Sequence, residues 1–175
     1  WSEPIKDSRQ QVLGTFAIYH HEPLAPTAEQ IEFIREASAL TALAIERRSR
    51  EAELRQLSLA VNQSPESIVI TNLRAEIEYV NPAFLLQTGY TREEVIGKNP
   101  RLLQSGRTPR ETYDGLWYSL AQGIVWQGDL FNRRKDGSEF VEHAIISPIR
   151  QPDGTVINYL AIKEDITERK RSSEA

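Results

Sequence analysis

Polar and apolar positions alternate with a period of two on both sides of Lys135-Asp136-Gly137-Ser138. Before these residues, Trp126, Gly128, Leu130 and Asn132 fall on one face. After them, Phe140, Glu142, Ala144 and Ile146 share a face, with Val141, His143 and Ile145 opposite. Asp-Gly is a strong short signal for a hairpin turn. The pattern therefore predicts a long β-hairpin that presents an aromatic ring, an amide and a carboxylate to a concave interior.

The same reading predicts strands over Trp1 to Ile5, Val12 to Tyr19, Ser67 to Thr71, Glu76 to Val80 and Val156 to Glu164, separated by turn-forming residues. Thr27 and Gln30 make a capping box, and from there to Asn62 the chain contains neither Gly nor Pro. This predicts an unusually long helix over 27–62. Phe33, Leu40, Leu43, Leu54, Leu57 and Val61 fit a heptad seam that Arg47 and Arg50 interrupt, so the helix reads as a signalling linker and a candidate coiled coil. Asn81-Pro82 and Thr91 open short helices that stop at Gly89 and Gly97. Residues 98–108 read as loop. Thr108-Pro109 opens an amphipathic helix with Tyr113, Leu116, Trp117 and Leu120 on its apolar face. Helices clustered between strands predict an α+β fold, an antiparallel sheet with helices on one face.

Composition narrows the chemistry. The 175 residues carry a net charge of −4, which does not point to nucleic acid. No apolar run is long enough to span a bilayer. Cysteine is absent, which excludes disulfides, thiolate metal sites and cysteine nucleophiles and agrees with a cytoplasmic protein. Three histidines, two of them adjacent, make a histidine-rich metal site an unpromising reading. No phosphate loop, catalytic triad or metal motif is present, so an enzyme is not expected. The chain opens on Trp1 without Met, as a piece of a longer protein would.

The stretch from about Leu57 to Lys170 resembles a PAS domain of bacterial signalling proteins, with the domain itself placed at 63–167. The resemblance rests on Glu66-Ser-Ile-Val-Ile-Thr71, Tyr79-Val-Asn-Pro-Ala-Phe84, Thr88-Gly-Tyr-Thr-Arg-Glu-Glu-Val-Ile-Gly97, Asn132-Arg-Arg-Lys-Asp-Gly137 and Asp165-Ile-Thr-Glu-Arg169. It implies the PAS fold, a five-stranded antiparallel sheet cupped around helices. Residues 1–26, through Val12-Leu-Gly-Thr-Phe-Ala-Ile-Tyr19 and Pro23 to Pro26, resemble the C-terminal strands of a truncated GAF domain, and the helix with Ala37, Leu40, Ala42, Ala44 and Ile45 continues that likeness. Residues 168–175 would start an output linker.

Within the PAS-like stretch, Gly97-Lys-Asn-Pro-Arg-Leu-Leu-Gln104 resembles the flavin loop of light-sensing LOV domains. Asn99, Arg101 and Gln104 match its polar positions, and Asn132 matches a flavin-bonding asparagine. Amides suit the donor–acceptor edge of a flavin, and arginine suits a phosphate. Pro100 stands at the photoreactive cysteine position, so a cysteinyl–flavin adduct cannot form. Glu142 stands where a second asparagine is expected, and Lys163 where LOV domains have glutamine. Flavin-binding PAS domains of redox sensors also carry a Trp-x-Gly strand, then Asn-Arg-Arg-Lys-Asp, then a glutamate, which Trp126, Gly128, Asn132 and Glu142 match. The resemblance thus implies FAD or FMN in a cup formed by Asn99, Arg101, Gln104, Trp126, Asn132 and Glu142. Haem does not fit, because residues 109–122 lack histidine and His143 faces away from the cup. The expected function is a sensory PAS module of a multidomain protein with a histidine kinase or cyclic-di-GMP output domain, dimeric through the long helix and the PAS domain. The competing reading is a cofactor-free dimerisation or interaction module, in which these polar residues only tie loop to hairpin.

Overall fold

The computed structural model describes residues 1–173; residues 174 and 175, the end of the expected output linker, lie outside the described residues. The chain divides into two compact units, Trp1–Ser58 and Leu59–Ala175.

In the first unit, β1 (Ser2–Lys6) and β2 (Val12–Ala17) form an antiparallel pair. The turn between them is closed by Asp7, whose Oδ1 accepts from the backbone of Arg9 and Gln11 at 2.8 Å each. The expected second strand ran to Tyr19; the strand ends at Ala17, and Ile18 still exchanges backbone hydrogen bonds with Trp1 at 2.9 and 3.1 Å. Helix α1 spans Ala28–Asn62. Its capping box is formed in both directions, with Thr27 N donating to Gln30 Oε1 at 2.9 Å and Gln30 N donating to Thr27 Oγ1 at 3.2 Å. Two strands alone cannot make a core; here Ile5 is buried together with Ile34 and Ala42 of the helix.

The second unit holds a five-stranded antiparallel sheet in the order β4-β3-β7-β6-β5. Its strands are β3 (Ser67–Thr71), β4 (Ile77–Val80), β5 (Trp126–Arg133), β6 (Glu139–Arg150) and β7 (Val156–Asp165). Between β4 and β5 come α2 (Pro82–Thr88), α3 (Arg92–Val95), a 3-10 turn at Pro100–Leu103, and α4 (Arg110–Ala121). The segment 98–108 is therefore not all loop. Asn99 caps the 3-10 turn by accepting from Arg101 N at 3.0 Å, and Pro100 stands at its first position. Val69, Ile77, Val80, Phe84, Val95 and Leu103 form the buried core cluster with Ala161.

Asn81 does more than cap α2. It accepts from Phe84 N at 3.1 Å and Ile68 N at 2.9 Å and donates to the carbonyls of Val61 at 3.1 Å and Glu66 at 2.9 Å. One amide thus ties together the end of α1, the start of β3 and the start of α2.

The hairpin of β5 and β6 has the predicted register, with Trp126 opposite Ile146, Gly128 opposite Ala144, Leu130 opposite Glu142 and Asn132 opposite Phe140. Its tip is a five-residue loop in which Gly137 takes a φ of +89°, a left-handed conformation natural to glycine. The tip is fixed from behind. Arg134 donates to the Gln87 carbonyl at 2.8 Å and to Asp165 Oδ2 at 2.6 Å.

The last helix, α5 (Thr167–Ser173), starts from β7 through Asp165-Ile166-Thr167. Asp165 Oδ1 accepts from Thr167 N at 2.9 Å, Thr167 Oγ1 accepts from Val141 N at 3.0 Å, and Ile166 N donates to the Val141 carbonyl at 2.8 Å. Farther along, Lys170 Nζ reaches Asp129 Oδ2 at 2.8 Å, and His143 Nδ1 lies 2.7 Å from the other oxygen. These two hydrogen bonds hold the Asp129 carboxyl below the usual carboxylate range. His143 is thus on the outer face of the sheet, as alternation requires.

Candidate functional site

Inside the cup of the second unit is a cavity of about 550 Å³, within the size range of small-molecule sites. Its walls come from three sources. Strands β3, β7 and β5 contribute Val69, Ala161, Lys163, Leu130 and Asn132; α4 contributes Tyr113, Leu116 and Leu120; the segment before α4 contributes Asn99, Arg101 and Gln104. That segment is tied to β5. Ser105 Oγ and Thr108 Oγ1 donate to the Phe131 carbonyl at 2.7 and 3.3 Å, Thr108 Oγ1 accepts from Phe131 N at 2.8 Å, and Gln104 bridges to Asn132.

A polar cluster forms the inner wall. Asn132 Nδ2 donates to Glu142 Oε1 at 2.7 Å, and Lys163 Nζ donates to the same oxygen at 2.6 Å. The three residues are only 4, 2 and 5% exposed. The register explains why they meet. Glu142 pairs with Leu130 and Asp165, while Asn132 pairs with Phe140 and Lys163 with Ala144, so both partners are diagonal neighbours of Glu142 on one face. A buried charge needs a partner, and here each charge supplies the other's.

Four of the six residues singled out from the sequence line the cavity: Asn99, Arg101, Gln104 and Asn132. Glu142 stands one layer behind, against Asn132 and Lys163. Trp126 does not line the cavity. Its indole lies across Gly128, where an added Cβ would fall 2.6 Å from the ring; the Trp-x-Gly pattern here serves that stacking. Two lining residues carry chemistry that sequence reasoning did not assign to the site. Lys163 had been noted only as a departure from glutamine, and nothing in a linear pattern pairs it with Glu142. Tyr113 had been read as part of an apolar helix face, yet its Oη is buried and has no hydrogen-bond partner. Among the described residues, no group of three or more His, Asp or Glu side chains is arranged to hold a metal ion, and no helix is long and apolar enough to cross a membrane.

Comparison with known proteins agrees with this architecture. A family profile described as PAS domain matches residues 65–168, more than half of the chain. The nitrogen fixation regulatory protein of Klebsiella oxytoca is 43% identical over 107 residues, which cover 61% of this chain and 22% of that protein. Blue-light-activated histidine kinase 1 of Erythrobacter litoralis is 40% identical over 92 residues, covering 53% of this chain and 26% of the kinase. The chain thus spans only about a quarter or less of the length of these relatives. Among solved structures, a light-oxygen-voltage domain studied with a flavin analogue superimposes with a TM-score of 0.61 at 30% identity, covering 67% of this chain and 90% of that one. The LOV domain of an Erythrobacter litoralis blue-light-activated histidine kinase gives 0.57 at 28% identity, covering 60% and 99% of the two chains. Fold, register and profile coincide over the same residues, and the chain belongs to the PAS domain family.

Proposed function

We propose that this chain is a sensory PAS module of a bacterial multidomain signalling protein, with a flavin, FMN or FAD, in the cavity, and that it relays changes there to an output domain through its flanking helices. The observation that carries the reading is the cavity itself, which sets Leu116, Leu120 and Leu130 beside the polar side chains of Asn99, Gln104, Asn132 and Lys163. Asn99, Gln104 and Asn132 offer the amide groups that a flavin's donor–acceptor edge requires, and Arg101 at the rim suits its phosphate. A bound flavin supplies reversible redox chemistry and visible absorption; with no cysteine in the chain, it is held without a thiol bond. The residues named hold and orient it, and Leu116, Leu120 and Leu130 keep water from its ring. The relatives in nitrogen-fixation control and blue-light signalling support a sensory role.

The purified protein is expected to show flavin absorption bands, and Asn132→Ala is expected to weaken flavin binding by about tenfold or more, the scale of one lost hydrogen bond with an orphaned partner. A colourless protein whose denatured extract contains no flavin would overturn the assignment and leave the cofactor-free interaction module.

One observation supports self-association. Phe33, Leu40, Leu43, Leu54 and Leu57 of α1 are 58 to 69% exposed, whereas Ile34, Ser38 and Ala42 are buried. The exposed set follows the heptad seam, which fits a parallel coiled coil with a second copy. We assign residues 1–26 to the C-terminal strands of a GAF-like domain, in keeping with a linker helix between sensory domains. Light scattering is expected to give a dimer, and the pair Leu43→Asp and Leu54→Asp a monomer with an unchanged far-ultraviolet spectrum. A wild-type monomer at high concentration would sink the coiled coil.

A further inference from the structure

The buried pair at the inner wall has a direction. Lys163 lines the cavity and Glu142 does not, so the pair sets its cationic residue on the ligand side with the carboxylate residue behind it. An ammonium has three N–H groups. Among the described residues, the one hydrogen-bond partner of the Lys163 ammonium is Glu142. A cation 5% exposed with two donors unused is costly unless an acceptor completes its shell. The remaining charge of the lining has the same sign: Arg101 and Arg110 stand with Lys163 against the single carboxylate of Asp114.

We propose that Lys163 sets the charge preference of the cavity. Its ammonium, held from behind by Glu142, favours a ligand that turns a negative charge or a strong acceptor toward the inner wall. This rests on the flavin reading above, and within it the pair favours a reduced, anionic flavin over the oxidised, neutral ring. An oriented ion pair in a water-poor site acts on a ligand charge much more strongly than it would in water, whereas the amides that LOV domains carry at these two positions would offer dipoles only.

The test is a potentiometric titration of the protein loaded with FMN, using dithionite as reductant. Two electrons and one proton pass to the ring, which gains one negative charge, and dithionite is oxidised to sulfite. The midpoint of bound FMN relative to free FMN reports the ratio of affinities for the two forms. In the wild type, the bound midpoint is expected above that of free FMN. In Lys163→Gln/Glu142→Gln, which keeps neutral hydrogen-bonding partners at both positions, the affinity ratio is expected to fall about tenfold, which is about 30 mV for a two-electron couple. Lys163→Arg keeps the charge and is expected to stay near the wild-type value. A wild-type midpoint at or below that of free FMN overturns the proposal, and this needs no variant to fold. So does a double variant that holds FMN with the wild-type midpoint; in both cases the flavin reading stands. A wild-type protein that takes up no FMN overturns both.

Discussion

Glu142→Ala is expected to lower the unfolding free energy by about 3–5 kcal/mol, the range found when one partner of a buried ion pair is removed. The reason lies in what the substitution leaves behind. Glu142 Oε1 accepts from both Asn132 and Lys163, and all three side chains are buried. Without the carboxylate, the buried Lys163 ammonium loses its hydrogen-bond partner, and the Asn132 amide loses its acceptor. The space vacated by the side chain adds a cavity cost of the same sign. Glu142→Gln keeps an acceptor of the same size and is expected to cost less than the alanine. Denaturant unfolding of the two variants against the wild type checks this order. A loss below about 1 kcal/mol for the alanine variant would mean that the pair behaves like an exposed one.

Asn81→Ala is expected to cost about 3–4 kcal/mol, and for a different reason. No charge is involved. The side chain makes four hydrogen bonds to the backbone of Val61, Glu66, Ile68 and Phe84. It is wholly buried, at 0% exposure. Each bond contributes about 1 kcal/mol net, and a buried partner left without one costs more. Asn81→Asp separates the two halves of the effect, since it keeps both acceptor bonds and loses both donor bonds. Hydrogen exchange gives a local readout: the Ile68 and Phe84 amides should lose protection in the alanine variant. Unchanged protection at both would contradict the role given to this residue.

The sheet was legible because its signals are local. Asp136-Gly137 with alternating neighbours fixes a register, and the register alone determines which residues share the cup face. The long helix was legible from the Thr27–Gln30 box and the lack of breakers. The short turn at Pro100–Leu103 was not, because four residues give no periodicity; only Asn99-Pro100, a cap followed by proline, hinted at it. At the site, Asn99, Arg101 and Gln104 were marked through their resemblance to a flavin loop and Asn132 through its match to a flavin-bonding strand asparagine, and all four line the cavity. The pairing of Glu142 with Lys163 spans twenty-one positions and two strands and follows from the register of β6 on β7, which no local pattern encodes. Trp126 was misplaced because alternation gives a face and not the direction of a large ring; with glycine two residues on, the indole folds along its own strand.

Asp165 gives one oxygen to the hairpin tip and the other to the first turn of α5, and the backbone on either side of it is bonded to β6. Mechanically this is a socket. The chain leaves the sheet on a fixed heading, and the heading is set by a carboxylate shared with the wall of the cup. Leverage follows from length. The seven residues of α5 make a helix about 10 Å long, so a tilt of about 10° at the socket moves its far end sideways by about 2 Å.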